Sequence, residues 1–122
     1  MSATSKPWLV AALVWTAGIL AVNSMSVTNV PIQSFAGADK LTHAGMYCVA
    51  AYAWRSSIRS PSEPVSWWVV FAIGVLGAID EWHQMIVPGR SADVRDWLAD
   101  VTGALIGVGV WRWLRARKRA AL

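Results

Sequence analysis

The run PWLVAALVWTAGILAVNS, residues 7–24, decides the fold class. No charge occurs between Lys6 and Asp39, and the apolar stretch from Trp8 to Val22 is long enough for a first transmembrane helix. Pro7 suits its first turn, where a missing N–H is no loss. The competing reading is a secretory signal peptide with Lys6 as its basic start. The run is long for that role, and Leu20-Ala21-Val22-Asn23-Ser24 offers only a weak small-residue cleavage site.

The rest of the chain carries the same bias. Of 122 residues, 56% are hydrophobic and 15% charged, too apolar for a small aqueous domain with its high ratio of surface to volume. Disorder, a disulfide scaffold, a soluble enzyme and a two-domain layout are all excluded on that ground. The lone Cys48 can form no internal disulfide and reads as buried filler. A net charge of +4 raises nucleic acid as a partner, but five of the basic residues, Arg112, Arg115, Arg117, Lys118 and Arg119, fall in the last eleven positions. A basic tail after an apolar run predicts cytoplasmic anchoring beside anionic lipid, and no nucleic acid.

Four helices follow, over residues 7–24, 39–57, 64–85 and 93–114, with a basic tail at 115–122. Residues 25–38 read as a loop against the membrane surface, and Val87-Pro88-Gly89-Arg90-Ser91 as a turn. The expected fold class is an all-α integral membrane four-helix bundle. With both ends inside, Lys6, Arg55, Arg59 and the five tail residues lie on the cytoplasmic side against Lys40, Arg90 and Arg95 outside. The tryptophans agree: Trp8, Trp54, Trp67, Trp68, Trp111 and Trp113 fall at the inner boundary and Trp82 and Trp97 at the outer one, with Trp15 in mid-helix.

The acids are sorted the other way. Only Glu63 is inner, while Asp39, Asp80, Glu81, Asp93, Asp96 and Asp100 gather at the outer ends of helices 2, 3 and 4. The uncharged part of helix 2, Leu41 to Trp54, is 14 residues, about 21 Å of a core roughly 30 Å thick. The helices therefore include their charged ends in the span, and charges at that depth need partners. Spacing aligns them: Asp39, His43 and Tyr47 on one face of helix 2, Gly77, Asp80 and Gln84 on helix 3, and Asp96, Asp100, Gly103 and Gly107 on helix 4.

These residues carry a resemblance. Asp39-Lys40-x-x-His43-x-x-x-Tyr47, then Asp80-Glu81-x-x-Gln84-x-x-x-Pro88-x-Arg90, then Asp96 and Gly103, resemble the pattern of the VanZ-like family over roughly residues 37–108. One departure is visible: Asp100 stands where the family pattern has Asn, which makes this site more acidic. The resemblance implies a small polytopic membrane protein of the bacterial inner membrane and cell envelope. The namesake is an accessory protein of glycopeptide-resistance clusters that raises tolerance to teicoplanin.

The residue types suggest the chemistry. Carboxylate with imidazole can bind a divalent metal or act as acid and base, and Lys and Arg bind phosphate. At the outer headgroup level the phosphorylated substrate is a lipid or lipid-linked wall precursor, so lipid phosphate hydrolysis or phosphoryl transfer is the first expectation. Asp39, His43, Glu81 and Asp96 are the candidate catalytic residues, Lys40, Tyr47, Gln84 and Arg90 the candidate substrate contacts, and Asp80 and Asp100 the candidate metal ligands. A homodimer or an envelope protein partner would close a site this small.

Plainer readings compete for each residue. Asp39–His43 can be a helix-face ion pair, one acid of Asp80-Glu81 a bridge to Arg90 or Lys40, and the glycines packing devices. Asp93 and Arg95 read as solvated charges and His83 as interfacial. Two other functions remain open: an acidic outer pocket that binds a lipid or antibiotic without catalysis, and an ion path. The path ranks last, because no ionisable residue continues inward along helices 1, 3 or 4.

Overall fold

Two prolines and an aspartate set three of the helix starts. Pro7 and Pro64 stand in first turns, after Ser5 and Ser62 in extended conformation, where proline's fixed φ fits the helix. Asp93 caps another helix by accepting a hydrogen bond from the Arg95 N–H at 2.9 Å. The structure, a computed structural model, describes residues 4–24, 38–89 and 92–122. Its helices are α1 (Lys6–Asn23), α2 (Ala38–Ser57), α3 (Glu63–Gln84) and α4 (Val94–Ala120). No strand occurs among the described residues. A single bridge between Thr4 and Ile58, with the Ser5 N–H donating to the Ser57 carbonyl at 2.8 Å, ties the start of α1 to the end of α2.

The chain is all-α as expected, with one extension. Instead of ending near Leu114, α4 continues to Ala120, so most of the expected tail is helix. Arg117, Lys118 and Arg119 lie in its last turn, where cations complement the negative end of the helix dipole. Gly89, at φ 77°, supplies a left-handed step in the turn after α3. Arg90, Ser91 and the loop expected over residues 25–37 lie outside the described residues.

The central helix is α2, which touches the other three, while α1 and α4 do not meet. Its closest partner is α4. A Cβ at Gly103 would overlap the Ala44 carbonyl, and one at Gly107 the Cys48 carbonyl, so the two backbones meet without side chains between them. Cys48 is half-buried rather than fully enclosed; its carbonyl makes the close contact.

Around this seam the usual sorting is reversed. The apolar core is modest, built from Ile19, Tyr47, Ala50, Ala51, Val69, Ile73, Ala104 and Val108. The largest wholly enclosed side chains include Arg55, Gln84, Asp80 and Asp100, whereas Trp68 and Trp82 are 67% and 68% exposed. A soluble domain does the opposite. Both α1 and α3 are long and apolar enough to cross a membrane. The buried charges of α2 and α4 sit at two ends of the bundle: the acids at one, Arg55 at the other.

Arg55 was expected as a charge marking the inner side. It is fully buried, and its guanidinium donates to Ser66 Oγ at 2.8 Å and to the carbonyls of Ser60 at 2.8 Å, Ile58 at 3.2 Å and Ser62 at 3.3 Å. The same group lies 3.7 Å over the Trp111 ring. It thus satisfies the carbonyls left open between α2 and α3 and joins that turn to α4.

Candidate functional site

At the acidic end, the first turns of α2 and α4 face the last turns of α1 and α3. The glycine seam below brings α2 and α4 close enough for side chains on the two helices to touch directly. His43, 2% exposed, is at the centre. Its Nδ1 lies 2.8 Å from Asp100 Oδ1, a spacing at which the Nδ1–H tautomer donates to the carboxylate. Nε2 is the nitrogen that Asp100 leaves unheld. It stands 3.9 Å from both Asp39 Oδ1 and Asp96 Oδ2.

Lys40 projects from the same turn of α2 and is held by three carboxylates. It bonds to Asp96, lies 3.1 Å from Asp93 Oδ2 and is 3.5 Å from Asp39 Oδ2. Expected as a substrate contact, it is already neutralised within the site. Asp93 is no free surface charge: besides capping α4 and binding Lys40, its backbone N–H donates to Glu81 Oε2 at 2.9 Å. The Arg95 N–H and then the Lys40 ammonium hold the Asp93 carboxyl below its ordinary range.

The acids on α3 divide. Asp80 Oδ2 accepts from Tyr47 Oη at 2.8 Å and from the Asn23 amide. Tyr47, fully buried, therefore acts inside the bundle as an anchor for Asp80 rather than at its opening. Glu81 is 7% exposed and meets the Asp93 backbone instead of bridging to Lys40. Gln84 is 2% exposed. Arg90 lies outside the described residues, and the half-buried His83 belongs to neither cluster of ligating groups.

Asn23 is the residue that sequence reasoning missed. It ends α1, is 2% exposed, and joins a fourth helix to the site through Asp80. Read along α1 alone it is only the polar end of an apolar run. The one available signal was that an amide at membrane depth needs a partner.

Three buried polar atoms here have no hydrogen-bond partner: Glu81 Oε1, Asp100 Oδ2 and Gln84 Nε2. Two sets of groups lie close enough to share a metal ion: Asp39, His43 and Asp96, and His43, Glu81 and Asp100. The first set is chemically the better one, because it uses the free Nε2 while Asp100 holds Nδ1, the usual support for a metal-bound imidazole. Asp39 is its half-exposed member, with a side chain 48% accessible, so the set opens outward. Asp80, expected as a ligand, is in neither set, and Asp100 enters the first only as the support of His43.

One imidazole and two carboxylates with an open side suit zinc or manganese and leave room for water. Without a metal, the same Asp100–His43 arrangement orients a general base. Both arrangements would use His43 Nε2, which stands between Asp39 and Asp96. No curated protein and no solved structure matches the chain. Residues 8–115 match the VanZ/LLP1 family model; that span takes in α2 and α3 whole, most of α1 and α4 and every candidate residue at the acidic end, and the chain belongs to the VanZ-like family.

Proposed function

We propose that this VanZ-like chain is a four-helix protein of the bacterial inner membrane, both ends cytoplasmic, that acts on a phosphorylated lipid or lipid-linked wall precursor at the outer face. The membrane reading is supported by exposed tryptophans and enclosed charges, which suit lipid better than water. The excess of basic residues at the Arg55 end supports the orientation.

A single observation carries the chemistry: His43, with Nδ1 on Asp100, turns Nε2 toward Asp39 and Asp96 at the open side. A divalent ion there would neutralise part of an acidic site, give a phosphate oxygen something to bind and supply a polarised water. Asp39 and Asp96 would hold it, His43 would complete the set, and Asp100 would fix the imidazole. Lys40 would pair with the other oxygen of Asp96. A change in the envelope's encounter with glycopeptides would follow from altered lipid-linked precursors.

A second reading is favoured by the charge count. Among the described residues, the carboxyl groups of Asp39, Glu81, Asp93, Asp96 and Asp100 at this end outnumber the cations Lys40 and Arg95, a balance that suits a cationic amphiphile bound without turnover. One experiment separates them: the purified chain is analysed for bound zinc and manganese and incubated with undecaprenyl phosphates, pyrophosphates and phospholipids. Metal-dependent phosphate release, reduced about 10²- to 10⁴-fold by His43→Ala, supports catalysis. Full release by His43→Ala would end that reading, and saturable binding with no release would favour the second.

A further inference from the structure

At the end of the bundle opposite the acids, basic groups outnumber the carboxylates that meet them. The last turns of α4, the start of α3 and Pro61 line an open cavity of about 400 Å³. Arg112, Arg115 and Arg119 line it from one face of α4. Its one acidic lining residue is Glu63, already bound to Arg112 Nε at 3.2 Å. Arg55 and Arg115 both lie over the Trp111 ring, at 3.7 Å and 5.3 Å, and repel each other there. Arg115 Nε is buried with no hydrogen-bond partner. A desolvated guanidinium donor beside a like charge calls for an anion.

An adjoining cleft says what kind. It measures about 60 Å³, runs between α3 and α4 along Val70, Leu105 and Val108, and shares Gly109 and Arg112 with the cavity. A free phosphate has no use for an apolar extension. A phospholipid does, because its acyl chain leaves the phosphate in the direction of the hydrocarbon. The length of α4 agrees: 27 residues reach about 40 Å, beyond a hydrocarbon core of roughly 30 Å, so its last turns stand at headgroup level.

We propose that this cavity binds the phosphate of an anionic phospholipid, with Arg112, Arg115 and Arg119 around the headgroup and an acyl chain along the α3–α4 cleft. The site is independent of the outer acids, and its failure leaves their chemistry standing.

The test uses the full chain, purified in mild detergent, stripped of lipid and titrated with phosphatidylglycerol or phosphatidylcholine while bound lipid is counted by native mass spectrometry. Phosphatidylglycerol should bind at least about tenfold more tightly, and Arg115→Gln should remove about a fivefold or greater share of that preference. Arg117→Gln is the control, since that guanidinium lies 4.9 Å over Trp113 and does not line the cavity; it should change affinity less than about twofold. The exposed Arg119→Gln serves if Arg115→Gln does not fold. Equal binding of the two lipids, or equal losses from the Arg115 and Arg117 variants, overturns the site. Displacement of the lipid by millimolar inorganic phosphate overturns lipid as its occupant.

Discussion

Gly103→Ala tests whether the glycine seam sets the geometry of the acidic end. A Cβ at Gly103 would lie 2.9 Å from the Ala44 carbonyl carbon and 3.0 Å from Ala44 Cα, and closer still to the carbonyl oxygen. All three are backbone atoms and cannot rotate away. To restore ordinary contact, α4 must withdraw from α2 by about 1 Å. Asp100 lies one turn along the same face, so the 2.8 Å bond to His43 would stretch to about 3.8 Å, beyond hydrogen-bond range. Overpacking costs about 1–3 kcal/mol and loss of a charged hydrogen bond about 1.5–3 kcal/mol, while replacing a helical glycine returns about 1 kcal/mol. The net is a destabilisation of about 1.5–5 kcal/mol. Gly109→Ala is the matched control: nothing lies within 4 Å of its Cβ position, so that variant gains the helix propensity alone. In detergent, the apparent Tm of Gly103→Ala should fall at least about 6 °C below that of Gly109→Ala. Metal uptake should weaken with it. Equal Tm values for the two alanine variants would refute the close-contact argument, and a fall in Tm with metal uptake unchanged would refute its link to His43.

Other substitutions separate the two ends. Arg55→Lys should not hold the turn between α2 and α3, because one ammonium cannot reach the four acceptors that the guanidinium serves; a loss of about 3 kcal/mol or more is expected in thermal unfolding. Tyr47→Phe leaves Asp80 with the Asn23 amide and should cost about 1–2 kcal/mol, while a double cycle with Asn23→Ala should be non-additive. Asp39→Asn should weaken zinc binding about 10-fold or more with little change in Tm, since Asp39 is the half-exposed member of its ligand set. Asp93 gives a pH signature. Its folded carboxyl is held below the ordinary value, so its contribution is complete above that value and fades as pH falls through the depressed one. The Tm difference between the parent and Asp93→Asn should therefore shrink in strong acid, and a difference unchanged by acid would exclude Asp93 as its source.

The helices and the residues at the acidic end were legible in the sequence because both depend on spacing along single helices. Apolar runs bounded by proline and polar turns place the four helices, and four-residue intervals put Asp39, His43 and Tyr47 on one face. Pairing across helices was not legible, since it depends on how deeply the glycines let α4 approach. Lys40 was therefore read as a substrate contact or a bridge to Asp80 or Glu81, although Asp93 and Asp96 hold it from α4 and its cap. Arg55 was counted with the solvated basic residues, because a buried guanidinium served by loop carbonyls has the same sequence signature as one in water. The last turns of α4 were read as a tail for a related reason. A basic run lowers hydropathy, while its arginines and alanines still favour helix.

Hydropathy singles out α1 and α3 as candidate spans, and the fold explains why α2 and α4 are different. Their buried acids and His43 are turned onto each other above a seam too narrow for a β-carbon, while Leu41, Val49, Leu98, Leu105 and Ile106 face outward. The same seam that makes them poor spans by average hydropathy places His43 against Asp100. Packing and chemistry are therefore coupled through one contact: a larger residue at Gly103 acts on the site without touching a reacting group. That coupling distinguishes a built site from acids that merely collect at a membrane surface. Scattered interfacial acids would be indifferent to a methyl group added one helical turn below them.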